Sequence, residues 1–218
     1  MDHKLSGCTN RARHQMSKAV DYLNLVMPVI PPDEDDPSRQ FLYHSMILML
    51  QSYYEEYLRC VIALGTFWKA PEIRDHLAQG HVDPERIRMM PAAEIAAMAQ
   101  ERVAFEKGAR RLKVLMEVVT GKGPFPDELT ERRCLDFANV RNLIAHRGGL
   151  PHSITAPIAH LTAVAIETTD VNGAKFHKLR ISAPFFKDSL VGLQDSIRHV
   201  EQSMATDPRL RLGLDADP

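Results

Sequence analysis

Phe137-Ala-Asn-Val-Arg141-Asn-Leu-Ile-Ala-His146-Arg-Gly-Gly149 is the stretch on which the reading of this 218-residue chain turns. It carries a permanent cation, an amide and an imidazole within about one and a half helical turns. Gly148, Gly149 and Pro151 then stop the helix. With Phe137 at zero on a helical wheel, Val140 and Ile144 fall within about 60° of it and Leu143 beyond Val140, as a core stripe. Asn142 falls at about 140° and His146 at about 180°, on the outward side, with Arg141 on the flank.

A guanidinium can hold a phosphate, and an imidazole can move a proton near neutral pH. Those two abilities suffice for metal-free cleavage of an RNA strand. The spacing alone is weak, because a chain of this composition yields about one Arg-x4-His match by chance. Three occur here. Arg39 to His44 opens a helical pattern just after Pro37 and Ser38. Arg147 to His152 runs through helix breakers. Only Arg141 to His146 sits inside an uninterrupted amphipathic segment, whose helix is expected over about 131–147 with Thr130 as its N-cap. Geometry alone leaves two readings of His146 open: a solvated or C-terminal capping imidazole, or a reactive one. The corresponding plain reading of Arg141 is a surface ion pair.

Working outward, a first helix is expected at about 9–27, with Met16, Val20, Leu23 and Met27 as its buried stripe. The Pro- and Asp-rich stretch from Pro28 to Pro37 reads as a loop, with Ser38 as the next N-cap. A long second helix follows at about 39–67. Ile47, Leu50, Tyr54, Leu58 and Val61 share one side of it; Ser45, Ser52, Glu56 and Arg59 share the other; Glu55 lies between. Short turns are expected over 69–92. A third long helix covers 92–120, bent near Gly108. After the motif helix, β-branched residues and the turn pair Asn172-Gly173 predict a hairpin at about 162–182. A last helix runs over 184–205, with Phe185, Leu190, Leu193, Ile197 and Val200 on its apolar face. The expected architecture is a single mainly α domain over 1–206, an up-and-down helical bundle with a small β-hairpin before the last helix. Residues 207–218 read as a flexible tail.

Net charge is −1, with 44% hydrophobic and 25% charged residues. That is ordinary for a soluble domain and argues against a wide basic footprint for nucleic acid. Arg102, Lys107, Arg110, Arg111, Lys113, Arg132 and Arg133 form a local basic set, which reads more readily as a solvated face. Met46, Met49, Met89, Met90 and Met98 read as core filler. Cys8, Cys60 and Cys134 are odd in number and far apart, which suggests reduced thiols and a cytoplasmic protein. No signal-peptide pattern opens the sequence, and the most apolar stretch, Phe41 to Trp68, carries Gln51, Glu55, Glu56 and Arg59, so no membrane span is expected. The ten His form no metal pattern, and no cofactor is expected.

The motif segment resembles the signature of the HEPN superfamily: an Arg, a polar residue after it, and a His four to six residues on, near a helix end. Arg141, Asn142 and His146 match all three elements. Gln51-Ser-Tyr-Tyr-Glu55-Glu-Tyr-Leu-Arg59 is similar to the helix that carries an acidic residue facing the motif in some members. Glu55 fits that place best and Glu56 is the alternative, while an intrahelical Glu55–Arg59 pair is the structural reading. The order of elements over about 40–205 is most like the RiboL-PSP-HEPN branch.

The resemblance implies a metal-independent endoribonuclease acting as a homodimer, with one composite site built from two motif helices. In it His146 is the general acid or base, Arg141 binds the scissile phosphate, Asn142 orients the imidazole or adds a hydrogen bond, and Glu55 is the acidic member. RNA is the substrate. By analogy, the role is that of a toxin or defence effector restrained by an antitoxin or other regulatory protein. Two alternatives stay open: a non-catalytic dimeric module of the same fold that scaffolds or binds a nucleotide or partner, and a plain helical interaction protein.

Overall fold

The computed structural model describes residues 2–79, 83–101, 109–147, 164–171 and 174–211. Among these the chain is mainly α-helical, with one hairpin before the last long helix. The helices are α1 (Asp2–Val26), α2 (Pro37–Trp68), α3 (Ala70–Ala78), α4 (Pro84–Met89), α5 (Ala92–Glu101), α6 (Ala109–Thr120), α7 (Glu128–Arg147), α8 (Ala183–Ala205) and α9 (Pro208–Arg211). A 3-10 turn, Met27–Val29, follows α1. The strands are β1 (Val164–Val171) and β2 (Ala174–Ile181).

The contacts group the chain into two compact units. Unit 1 comprises Met1–Gln15, Tyr53–Asp127 and Asp195–Pro218. Unit 2 comprises Met16–Ser52 and Glu128–Gln194. Where a single domain was expected, the contacts give two units of discontinuous segments, with boundaries inside α1, α2 and α8.

In unit 1 the second half of α2 supplies Tyr54, Leu58, Val61 and Ile62, all fully buried. Gly65 lets α2 approach α6: a Cβ there would lie 2.1 Å from a Val119 methyl, so only hydrogen fits. A buried polar chain crosses the unit. Ser196 Oγ donates to the Pro124 carbonyl at 2.7 Å, which uses its one proton, so the Tyr54 hydroxyl at 2.5 Å is the donor to Ser196. Tyr57 is almost wholly buried, and its phenol is pushed well above the ordinary value, chiefly by burial and then by Glu201. The short turns expected over 69–92 are α3 and α4, and α3 packs against α4, α5 and α6. The third helix is described as α5 and α6, and the bend expected at Gly108 lies outside the described residues. α6 ends at Gly121, whose φ is +78° and whose N–H donates to the Glu117 carbonyl at 2.9 Å. Past residue 207, where a tail was expected, α9 forms and Leu210 is fully buried.

Unit 2 holds the first half of α2, α7, the hairpin and the first half of α8. Ser38 is not the N-cap of α2. Pro37 takes the first helical position, and Asp36 caps it by accepting the Ser38 N–H at 2.8 Å. α7 likewise begins at Glu128, two residues before the expected cap Thr130, which is buried inside the helix. β1 and β2 pair antiparallel from Val164↔Ile181 to Val171↔Ala174, within the expected 162–182. The turn residues lie outside the described set. In β2, Leu179 and Ile181 are buried while Lys178 is exposed, the alternation of a half-buried strand. The hairpin is fastened to α2 by a reciprocal pair: the Ile181 N–H donates to Gln40 Oε1, and Gln40 Nε2 donates to the Ile181 carbonyl, both at 2.8 Å. Tyr43 and Phe186 stack with ring centroids 5.1 Å apart.

No helix among the described residues is long and apolar enough to cross a membrane. Cys134 is a buried free thiol, but Cys60 is held in a disulfide, which corrects the expectation of three reduced thiols. The methionines divide: Met46 is buried, whereas Met49 and Met89 are exposed and are not core filler.

Candidate functional site

α7 is the element that positions the motif, and its core stripe is as expected. Phe137, Val140, Leu143 and Ile144 are buried, which fixes the rotation of the helix within unit 2. Arg141 and Asn142 are half-buried on its flank. Arg141 Nη1 donates to Asn142 Oδ1 at 2.8 Å. A guanidinium only donates, so the amide must present its oxygen here. Asn142 thus contacts the cation; the resemblance has it orient the imidazole or add a hydrogen bond. His146 stands four residues further on in the same helix, one residue before its end at Arg147; its side chain lies outside the described residues.

The two other Arg-x4-His matches fare differently. Arg39 is buried, and its Nε donates to the Pro31 carbonyl at 2.8 Å. Its Nη2 reaches the Ile30 carbonyl at 3.5 Å. That guanidinium closes the loop before α2 and is not presented for phosphate. Its companion His44 has a pKa lowered by burial and then by Lys178, against a backbone hydrogen bond with Leu179 that raises it. The third match, Arg147 to His152, falls largely outside the described residues.

Glu55 belongs to unit 1. It is buried, and its Oε2 lies 3.4 Å from Arg59 Nη2, the intrahelical pair that the spacing allows. Glu56 is about half exposed and lies 3.7 Å from the same guanidinium. The inward carboxylate of α2 is therefore Glu55, and the outward one is Glu56. Arg59 also lines an open hollow of about 390 Å³ with Ala97, Gln100 and Glu101.

Of the local basic set, Arg132 is exposed near Asp136 at 3.9 Å, and Arg133 approaches Asp188 at 4.0 Å. Arg102 and Lys107, and the side chains of Arg110 and Arg111, fall outside the described residues. Among the described residues no group of three or more His, Cys, Asp or Glu could hold a metal ion.

Sequence reasoning missed a second surface. Tyr22, Val26, Ile30, Pro37, Phe41 and Leu42 line a groove in unit 2. Their apolar character is plain in the sequence, but only the structure shows that Tyr22 and Phe41 are exposed there. No protein-family model, curated protein or solved structure matches the chain.

Proposed function

We propose that the chain is a metal-independent endoribonuclease of HEPN type, with the motif of α7 as its reactive element. The observation that carries this reading is the Arg141–Asn142 hydrogen bond at 2.8 Å on a half-buried flank, one helical turn before His146 and the helix end. Arg39, by contrast, is turned onto the backbone carbonyls of the loop before α2.

In this reading Arg141 holds the scissile phosphate and offsets charge on its non-bridging oxygens. Asn142 is a positioning residue that holds the guanidinium fork. His146 takes the proton from the ribose 2′-OH, or gives one to the departing 5′-oxygen. The 2′-oxygen attacks phosphorus, the P–O5′ bond breaks, and the products are a 2′,3′-cyclic phosphate and a 5′-OH end. DNA lacks the 2′-OH and is not cut. A two-fold pairing of α7 would supply a second His146 for the other proton transfer. Glu55 completes the residue set that the resemblance implies. A toxin or defence role, an antitoxin-like restraint and a cytoplasmic location belong to the same reading by analogy alone.

The test is RNA cleavage by purified protein in excess EDTA. Cleavage that leaves cyclic-phosphate ends and is lost in a folded His146→Ala variant supports the reading. If wild-type protein cuts none of a panel of structured and single-stranded RNAs, the reading falls and a non-catalytic module of the same fold takes its place.

A further inference from the structure

The strongest feature outside the motif is the groove of unit 2, about 480 Å³ in volume. Tyr22 and Val26 form one wall, a helical turn apart on α1. Pro37 and Phe41 form the other, a turn apart on α2, with Ile30 between. Large apolar side chains stand open to solvent here: Tyr22 is 55% exposed and Phe41 74%. Single exposed apolar residues mean little, but a contiguous set around a groove marks an interaction surface.

Charge identifies the occupant. The segment joining the two walls is Asp33-Glu34-Asp35-Asp36. Asp33 and Asp36 accept the N–H groups of Asp35 and Ser38, and Glu34 accepts that of Ala183; none of these contacts supplies a countercharge. Among the described residues Arg180 pairs with Asp35, Arg39 is turned inward onto backbone carbonyls, and Lys178 lies toward His44. The four carboxylates of the segment outnumber these cations. A second copy seated face to face would set one acidic loop against another, and an anionic lipid surface would be repelled in the same way. A segment with apolar anchors at helical spacing and Lys or Arg around them meets both features at once.

We propose that this groove docks an amphipathic basic helix from a partner protein, its apolar side chains between Tyr22 and Phe41 and its cations along Asp33–Asp36. The inference does not depend on the nuclease reading, since none of these residues belongs to the Arg141 set.

The experiment is fluorescence anisotropy on the full chain with a labelled synthetic helix carrying Leu at positions i, i+4 and i+7 and Lys elsewhere. The control is the same peptide with Glu replacing every Lys. The expected result is saturable binding of the Lys peptide and none of the Glu peptide. Phe41→Ser should weaken binding at least about tenfold. Asp33→Asn with Asp36→Asn keeps both turn hydrogen bonds, and should weaken it severalfold and flatten its salt dependence. Any of three results overturns the proposal: equal binding of both peptides, binding unchanged by Phe41→Ser, or no binding of the Lys peptide. So does self-association lost in Phe41→Ser on sedimentation, or capture of anionic vesicles through Phe41; these would assign the groove to a second copy or to a lipid surface.

Discussion

Arg141 Nη1 donates to Oδ1 of its neighbour Asn142 at 2.8 Å. Adjacent residues on a helix ordinarily point about 100° apart, so the long arginine curves round to reach the amide. The bond is one restraint on the orientation of the guanidinium. Asn142→Ala removes that restraint but keeps the charge. On the nuclease reading proposed above, RNA cleavage is expected to fall by roughly tenfold in Asn142→Ala and by about a hundredfold or more in Arg141→Ala. Arg141→Lys is expected to resemble Arg141→Ala, because an ammonium is a point charge without the planar fork. Single-turnover cleavage rates on one RNA check the order. Equal rates for wild type and Asn142→Ala would remove the positioning role.

Glu55 and Glu56 are neighbours with different surroundings. Glu55 is 5% exposed and lies 3.4 Å from Arg59, whereas Glu56 has a half-exposed side chain. A buried charged group that loses its role costs far more than a solvated one. Glu55→Gln is expected to lower unfolding stability by about 1–3 kcal/mol. Glu56→Gln is expected to stay within about 0.5 kcal/mol of wild type. Urea denaturation of the two variants side by side reads the difference. Equal midpoints would show that burial of Glu55 carries no energetic weight.

The parts of the fold legible in the sequence were those set by periodicity and by helix breakers. Ile47, Leu50, Tyr54, Leu58 and Val61 share one side of α2, and all are fully buried. Asn172-Gly173 announced the hairpin, since that dipeptide supplies the backbone conformation a two-residue turn requires. Caps were less legible. Ser38 and Thr130 are the right residue types, but Pro37 at the first helical position hands the cap to Asp36, and α7 starts two residues before Thr130. Periodicity separates Phe41 from Tyr43, since Tyr43 lies one turn before Ile47 on the buried stripe and Phe41 about 120° from it, but it does not show that Phe41 is left 74% exposed. Which apolar residue gains a cover depends on partners distant in sequence. The same limit applies to the motif. Arg39 and Arg141 have identical spacing to a His, and only tertiary contacts show that Arg39 is spent on the Pro31 and Ile30 carbonyls.

His44 gives the fold a defined response to acid. Its Nε2 is buried with no hydrogen-bond partner among the described residues. Burial first, and then Lys178, hold its pKa below the ordinary 6.5, although a backbone hydrogen bond with Leu179 opposes the shift. The unfolded chain therefore binds the proton at a higher pH than the folded one. Above about pH 6.5 both states are neutral and the residue contributes nothing to the balance. As pH falls below that value the unfolded state is favoured, until the folded His44 also titrates. His199, lowered by burial and then by Lys122, acts in the same direction. Between about pH 7.5 and about pH 5 the thermal midpoint of wild type is expected to drop more than that of His44→Gln, which keeps a polar group for Leu179 but does not titrate. Parallel curves for the two proteins would exclude the residue as a source of acid sensitivity.

Cys60 and Cys134 are both buried on helices, yet Cys60 is in a disulfide and Cys134 is a free thiol. Burial shields Cys134 from reagents in the folded state, and the covalent bond blocks Cys60 in any state. Under denaturing conditions without reductant, iodoacetamide is expected to label the peptide containing Cys134 and leave that containing Cys60 unmodified. After reduction both should be labelled. Peptide mass spectrometry of protein purified without reductant makes the comparison. Full labelling of Cys60 before reduction would show that the bond does not form in the isolated chain, and would return this position to the reduced state that cysteine number and spacing suggest.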